Sequence, residues 1–433
     1  MRLVLFTTRY RKGGTSFARA ARTLGDTLRE APGALVRVER VESKADARGV
    51  FQDMAQRGHR ITQLHVVAHA GMYGPMFGST RWPEQFSPHE WRELSVPFAD
   101  DAEAHFHTCR SARWFAPFFA RTFGVPAYGN HWYTAFSTDP TKFVWPRPWL
   151  DRHRPLYVIG CPGRKSHGLA GSLAKYTGRQ PAEKMRRFPP ERDHARVGYE
   201  AVATAYDGVF EDISVREDEV RWLESRLAGL PPRPRVLDIG CGNGALLARL
   251  APTLESGVGV DASSAMVSHA RRRASAENLS IHHVTGPTIP LPDASVDVAI
   301  SMLSFRYLDW DPLVRELGRV LTPDGRLLIV DMVEKPAPPS LWPRAALDRL
   351  RVLAEAKRRP GFQSKLSAMV ASPEWAEVLV HNPMRALHEY EWYLGSRFPE
   401  GEFDVLNVGR RARVIAFDTG AFSRAHLTPQ AYP

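Results

Sequence analysis

Cysteine is scarce: three residues in 433, Cys109, Cys161 and Cys241, an odd number set far apart. That pattern excludes a disulfide framework and a clustered thiolate metal site, so a functional cysteine here acts as a thiol. No run of about 18 apolar residues occurs, so no membrane-spanning helix and no membrane partner are expected. The opening MRLVLFTTRYRKGG lacks the small-residue cleavage pattern of a signal peptide, and it reads better as a first core strand in a cytoplasmic protein. No Lys/Arg block interleaved with aromatics accompanies the net charge of +11. The excess therefore reads as a basic surface that attracts anions, not as a nucleic-acid footprint. Internal repeats are also missing.

What remains is ordinary globular composition, 43% hydrophobic and 24% charged, on a chain long enough for two or three domains. Apolar runs at 3–8, 34–41, 64–69 and 103–109 alternate with helix-like segments TSFARAARTLGDTLRE and KADARGVFQDMAQRG. That is βαβ grammar, and with the later runs GVPAYG and PLYVIGCP it predicts one mainly parallel α/β domain over residues 1–165. Residues 166–195 are rich in basic, Pro and Gly residues without a sustained apolar period, which predicts a linker. A second alternation follows, with strands at RVLDIG, GVGVDA, VDVAISM and RLLIVDM, giving a second α/β core over 196–335. Residues 336–400 open on KPAPPSLWP and then turn helical, with Ser372 at an N-cap position and Pro373 at the first helical one, a helical cap inserted before the last strands. The pair FDVLNVG and ARVIAFDTG within 401–433 predicts a terminal hairpin.

VLDIGCGNG runs off a strand into the helical ALLARLAP, so Gly240, Gly242 and Gly244 form a tight turn where backbone can approach a ligand. Asp261 ends the next strand about twenty residues later, where a carboxylate can take both hydroxyls of a ribose. Together VLDIGCGNG, GVGVDASSAMVSHAR, LPDASVDVAISM and RVLTPDGRLLIVDM resemble, in order, the motifs of class I S-adenosylmethionine-dependent methyltransferases. The resemblance covers residues 196–334 and the last hairpin. It implies a Rossmann-like seven-stranded sheet with an antiparallel final strand, and S-adenosyl-L-methionine as cofactor. By the same resemblance, Asp238 anchors the methionine amino group, Gly240 and Gly242 line the cofactor, Asp261 holds the ribose, and Met266 packs near the adenine. Tyr206 matches a tyrosine that closes over the cofactor. Where the family carries an acidic residue reading the adenine amino group, this chain has VTGP, with Thr285 at that position. Methyl transfer asks mainly for alignment, exclusion of water and, for a hydroxyl acceptor, a base. Arg306, Tyr307 and Asp309 on the acceptor side, and His388 and Tyr390 in the cap, are the candidates, each with a packing role as the alternative.

In the first domain His69 closes the strand LHVVAH and Cys109 closes EAHFHTC, both at carboxyl ends of strands, where open α/β sheets gather ligands. On neighbouring strands, about 4.8 Å apart, such a pair makes a thiolate with an adjacent acid/base. The pattern resembles caspase-like (clan CD) cysteine peptidases, which implies an oxyanion hole from amides near Gly71 and Cys109. It departs from them in Ala70 before Gly71 and in Arg110 after the cysteine. His65, His105 and His107 invite a metal, and alternation puts His105 and His107 on one strand face, but no complete ligand set accompanies them. The expectation is thus α/β throughout: two doubly wound, mainly parallel sheets, a caspase-like domain fused to a methyltransferase acting on a small molecule or peptide. The alternative is a cysteine peptidase with a His69/Cys109 dyad and a cofactor-sensing second domain. The acceptor and the oligomeric state are not written in the sequence.

Overall fold

The computed structural model describes residues 1–147, 150–151, 153–163, 169–190, 199–335, 337–381, 384–409 and 412–422. They form two compact units, Met1–Asp193 and His194–Pro433.

The first unit is built on strands β1 (Arg2–Phe6), β2 (Val36–Arg40), β3 (Ile61–Val67), β4 (Phe98–His107) and β5 (Ala127–Gly129), all parallel, in the order β5-β4-β3-β1-β2. Helix α1 (Gly14–Arg29) crosses between the first two strands, and α2 (Lys44–Gln56) starts on a reciprocal capping box of Ser43 and Asp46. Side chains alternate across the pleat. Leu64, Val66, Ala104 and Phe106 enter a core with Phe51, Met54, Phe115 and Phe119, the last two on α3 (Phe115–Phe123). Val4 and Val67 enter a second layer under Phe17, Ala20 and Ala21 of α1. Phe119, fully buried, contributes about 2–3 kcal/mol by leaving water.

Two expectations for this unit need correction. PLYVIGCP does form a strand, β7 (Tyr157–Gly160), but it pairs with β6 (Thr134–Ser137) in a separate ribbon, outside the main sheet. The segment 166–195, expected as a linker, contains α4 (Leu169–Tyr176) and β8 (Arg186–Phe188), which adds antiparallel to β5 as the sheet's edge. Exposed Arg186 and Arg187 gave it a linker's composition, yet charge is what keeps an edge strand from pairing with other chains.

Among the described residues the second unit holds seven strands: β9 (Arg235–Ile239), β10 (Ser256–Asp261), β11 (Leu279–His283), β12 (Val296–Met302), β13 (Leu321–Glu334), β14 (Glu402–Val408) and β15 (Ala412–Asp418). Their order is β11-β10-β9-β12-β13-β15-β14, and β15 runs antiparallel to both its neighbours. Helices α5 (Ala203–Val209) and α6 (Glu217–Ala228) precede the sheet. Alternation sends Val236, Ile300 and Leu328 toward α6, α7 (Ala245–Leu250) and α8 (Ser264–Arg273). Leu237, Ala299 and Ile329 face α9 (Trp310–Val320) instead.

The block expected as one helical cap divides into α10 (Trp342–Arg358), α11 (Pro360–Val370), α12 (Pro373–His381) and α13 (Leu387–Arg397). Leu387, Tyr390 and Leu394 of α13 recur at helical spacing and are buried against Trp310 and Phe417, so this helix covers the sheet. Among the described residues α11 and α12 do the capping: Met369 is buried on Val209 and Phe210, with Phe362, Leu366 and Trp375 beside it. Among the described residues no helix is long and apolar enough to cross a membrane.

Candidate functional site

The site forms at the carboxyl end of β9. Gly240, Gly242 and Gly244 take φ of 70°, 55° and 75°, left-handed values that disfavour any side chain. Space imposes a second constraint at Gly240, where a Cβ would stand 2.5 Å from that of Ser304. Ser304 is itself fixed, its hydroxyl donating to the Ile239 carbonyl at 2.6 Å.

Asp261, at the tip of β10, reaches this turn. One carboxylate oxygen accepts the Gly242 amide at 2.9 Å and the other accepts the Ser263 amide at 2.9 Å. Burial nonetheless pushes its pKa up. Asp238, 2% exposed, is pushed further, to about 7, by burial first and by the Asp261 charge second. Carboxyls buried beside a glycine turn are poorly solvated as anions. They gain when a cation and hydroxyl donors are delivered to them, and S-adenosylmethionine carries an ammonium and a ribose. The residues present fit that cofactor.

Tyr206 arrives from α5. Its ring lies 3.8 Å from where a Gly242 Cβ would be, with Phe210 at 4.6 Å and Tyr199 at 5.8 Å between ring centroids. Met266 is buried in the first turn of α8, its amide bonded to the Ser263 hydroxyl at 3.2 Å. Thr285 is exposed, just beyond the end of β11.

Two further residues escaped sequence reasoning. Asp207 accepts from Asn243 at 2.9 Å and Arg273 at 3.0 Å and meets His269 at 2.8 Å, clamping α5 to the glycine turn and to α8. Glu200 accepts the amides of Ser264 and Ala265, where an anion suits a helix N-terminus. Their signal is spatial, a carboxylate against partners tens of residues away. A sequence offers only the hint of acids scattered through YEAVATAYD.

On the acceptor side, Arg306 pairs with the fully buried Asp331 at 2.5 Å, and the Tyr390 hydroxyl donates to the same carboxylate at 2.7 Å. Both candidates are thus engaged in a packed network. The Tyr199 hydroxyl donates to that of Tyr307 at 3.0 Å, and burial holds Tyr199 well above the ordinary phenol range, so it stays neutral. Asp309 directly precedes α9, and His388 is exposed on α13.

In the first unit, β3 and β4 are parallel neighbours with Val67 opposite His107, so His69 and Cys109 each follow by two residues. His69 Nε2 donates to the Lys12 carbonyl at 3.2 Å, and the ring packs edge-on against Phe17 and Tyr10. Burial lowers its pKa. The half-buried Cys109 thiol meets the Thr134 hydroxyl at 3.3 Å and receives its amide at 3.4 Å. Among the described residues no hydrogen bond joins His69 to Cys109. His65 and His105 stack at 4.6 Å, Tyr128 stacks on His105 at 4.4 Å, and burial holds His107 down to about 3. Among the described residues no group of three His, Cys, Asp or Glu is arranged to hold a metal ion.

Residues 237–329 match the family model described as a methyltransferase domain. The chain is 33% identical over 173 residues to 27-O-demethylrifamycin SV methyltransferase of Amycolatopsis mediterranei, covering 36% of this chain and 63% of that protein. It is 35% identical over 147 residues to the malonyl-[acyl-carrier protein] O-methyltransferase of Methylococcus capsulatus, covering 32% and 51%. Over 141 residues it is 35% identical to demethylmenaquinone methyltransferase of Deinococcus radiodurans, covering 31% and 58%. The chain thus spans between half and two thirds of the length of these relatives. The second unit thus carries a match to a methyltransferase domain, whose cofactor is S-adenosyl-L-methionine.

Proposed function

We propose that the second unit transfers the methyl group of S-adenosylmethionine to a small, largely apolar acceptor. The carrying observation is the Asp261 carboxylate bonded to the Gly242 amide, with the buried Asp238 behind it. The cofactor supplies an electrophilic methyl on a sulfonium. Asp238, once ionised, holds the ammonium; Asp261 accepts from the ribose; Tyr206 and Phe210 close over the pocket and exclude water. Met266 borders the adenine and Thr285 lies at its edge, with Gly240, Gly242 and Gly244 giving the backbone its close approach. Tyr199, Tyr307 and the cap residues Phe362 and Trp375 give the acceptor aromatic surroundings, which favour a flat apolar molecule over a charged peptide. The three relatives named above carry rifamycin, malonyl-carrier and menaquinone acceptors in their names, which suits a small-molecule acceptor here.

The first unit is proposed as a caspase-like domain, and one observation favours a second activity there. Donation from His69 Nε2 to the Lys12 carbonyl fixes the tautomer and leaves Nδ1 as the basic nitrogen, two residues beyond a strand whose parallel neighbour leads to Cys109. A cysteine peptidase with this dyad, its methyltransferase unit sensing cofactor, is the alternative reading. Labelled cofactor incubated with cell extract tests the first reading, and cleavage of a peptide library tests the second. Asp261→Ala is expected to abolish methyl transfer while Cys109→Ala leaves it unchanged; transfer surviving Asp261→Ala overturns the principal reading.

A further inference from the structure

Helix α10 displays its apolar side outward. Trp342, Leu347, Leu350 and Leu353 are 63%, 51%, 62% and 53% exposed. At about 100° per residue these four, with Pro343, Ala346 and Ala354, fall within an arc of about 140°. The other side is held down. Asp348, 4% exposed, accepts the Val408 amide at 3.0 Å, and Arg344 donates to the Val405 carbonyl at 2.6 Å, both tying α10 to β14. Normal globular patterning puts the leucines beneath and the charges outside; here the leucines and tryptophan face solvent.

Among the described residues the exposed charges around that arc are of one sign. Exposed Arg349 lies on one flank, exposed Arg351 and Arg358 on the other, and exposed Lys357 within the arc in its last turn. Five basic residues occur between Trp342 and Arg358 against two acidic ones, one of them the buried Asp348. A wide apolar sector carrying a tryptophan and bordered by arginines suits a helix lying in the plane of a lipid surface, leucines among acyl chains and cations at the headgroups. A surface patch meant for a second copy of the chain would set these like charges against one another. The helix itself is neither long nor apolar enough to span.

We infer, against the sequence expectation of no membrane partner, that α10 is a peripheral membrane-binding element that takes an anionic lipid surface. It binds by shallow insertion of Trp342, Leu350 and Leu353, with Arg349, Arg351, Lys357 and Arg358 on phosphate headgroups. The helix leads directly into α11, which packs on α5 beside Tyr206, so a membrane-dissolved acceptor would meet the cap at the bilayer surface.

The test is flotation of the full chain with vesicles of phosphatidylcholine alone and with admixed phosphatidylglycerol. Binding is expected only with the anionic lipid, and it should weaken as salt is raised. Arg349→Gln and Arg358→Gln should each reduce it about five-fold. The exposed pair Leu350→Asp and Leu353→Asp should abolish it while leaving the melting temperature unchanged. Three results overturn the inference: no flotation with anionic vesicles, flotation indifferent to the leucine pair, or sedimentation showing a dimer that Leu350→Asp dissolves, which would mean a second copy covers the face. If the leucine pair misfolds, the arginine variants, at exposed positions on the helix, decide the matter.

Discussion

Replacing Asp238 by Asn separates stability from binding in opposite directions. The folded carboxyl titrates at about 7 against 3.8 for an ordinary aspartate. Between those values the folded state holds a proton that the unfolded state has lost, so stability falls as pH rises through the window. At about 1.4 kcal/mol per unit, the full difference is about 4 kcal/mol. Asparagine has the same shape and does not titrate. Any hydrogen bond its amide leaves unmade costs the same at every pH. The variant's stability relative to wild type should therefore climb by about 1.4 kcal/mol per pH unit from about 4 to about 7 and level off above. Urea melts across that range measure the difference, with the transition of the second unit identified by its shift when cofactor is added. Binding moves the other way. The ammonium loses its carboxylate, so affinity for S-adenosylmethionine should drop about ten- to hundred-fold. In wild type the affinity should itself weaken about ten-fold per unit below pH 7, because a proton must leave first. A stability difference that stays flat with pH, or unchanged affinity in the Asp238→Asn protein, refutes the reasoning.

Asp207→Ala should unclamp α5 from the glycine turn, costing about 1–3 kcal/mol in a thermal melt and raising KM for the cofactor more than it lowers kcat. Tyr206→Ala should weaken cofactor binding and Tyr206→Phe should not, since the ring and not the hydroxyl covers Gly242; titration calorimetry distinguishes them. Gly240→Ala should destabilise the second unit by more than about 1 kcal/mol, because a Cβ there meets Ser304 at a left-handed φ, and a urea midpoint reads the loss. Cys109→Ala should abolish cleavage of a peptide library if the first unit is a peptidase and leave methyl transfer as it is.

The strand, glycine turn and helix of 235–250 were legible because each rests on local rules: a short apolar run, three residues able to take positive φ, then helical spacing. Asp261 was legible for the same reason, standing at the tip of the next strand. What depended on non-local contacts was not. The Asp207 clamp joins residues thirty-six to sixty-six positions apart, and Glu200 reaches α8 across sixty-four. β8 was hidden by its arginines, since an edge strand and a linker share a polar composition. α13 was grouped with the cap because periodicity reveals an apolar face but not what it packs on, and Leu387, Tyr390 and Leu394 pack on the sheet. The outward leucines of α10 were invisible for the same reason, as exposure is a property of placement.

The central claim is that the turn at Gly240–Gly244 and the carboxylate of Asp261 hold an adenosyl group. Titrating the full chain with S-adenosylhomocysteine, the demethylated product, tests it most directly by calorimetry. One molecule of ligand bound per chain, with the heat lost in Asp261→Ala protein that melts as a folded chain, is the expected outcome. Well-folded wild-type protein that gives no heat, or an Asp261→Ala variant that binds as tightly as wild type, would contradict it.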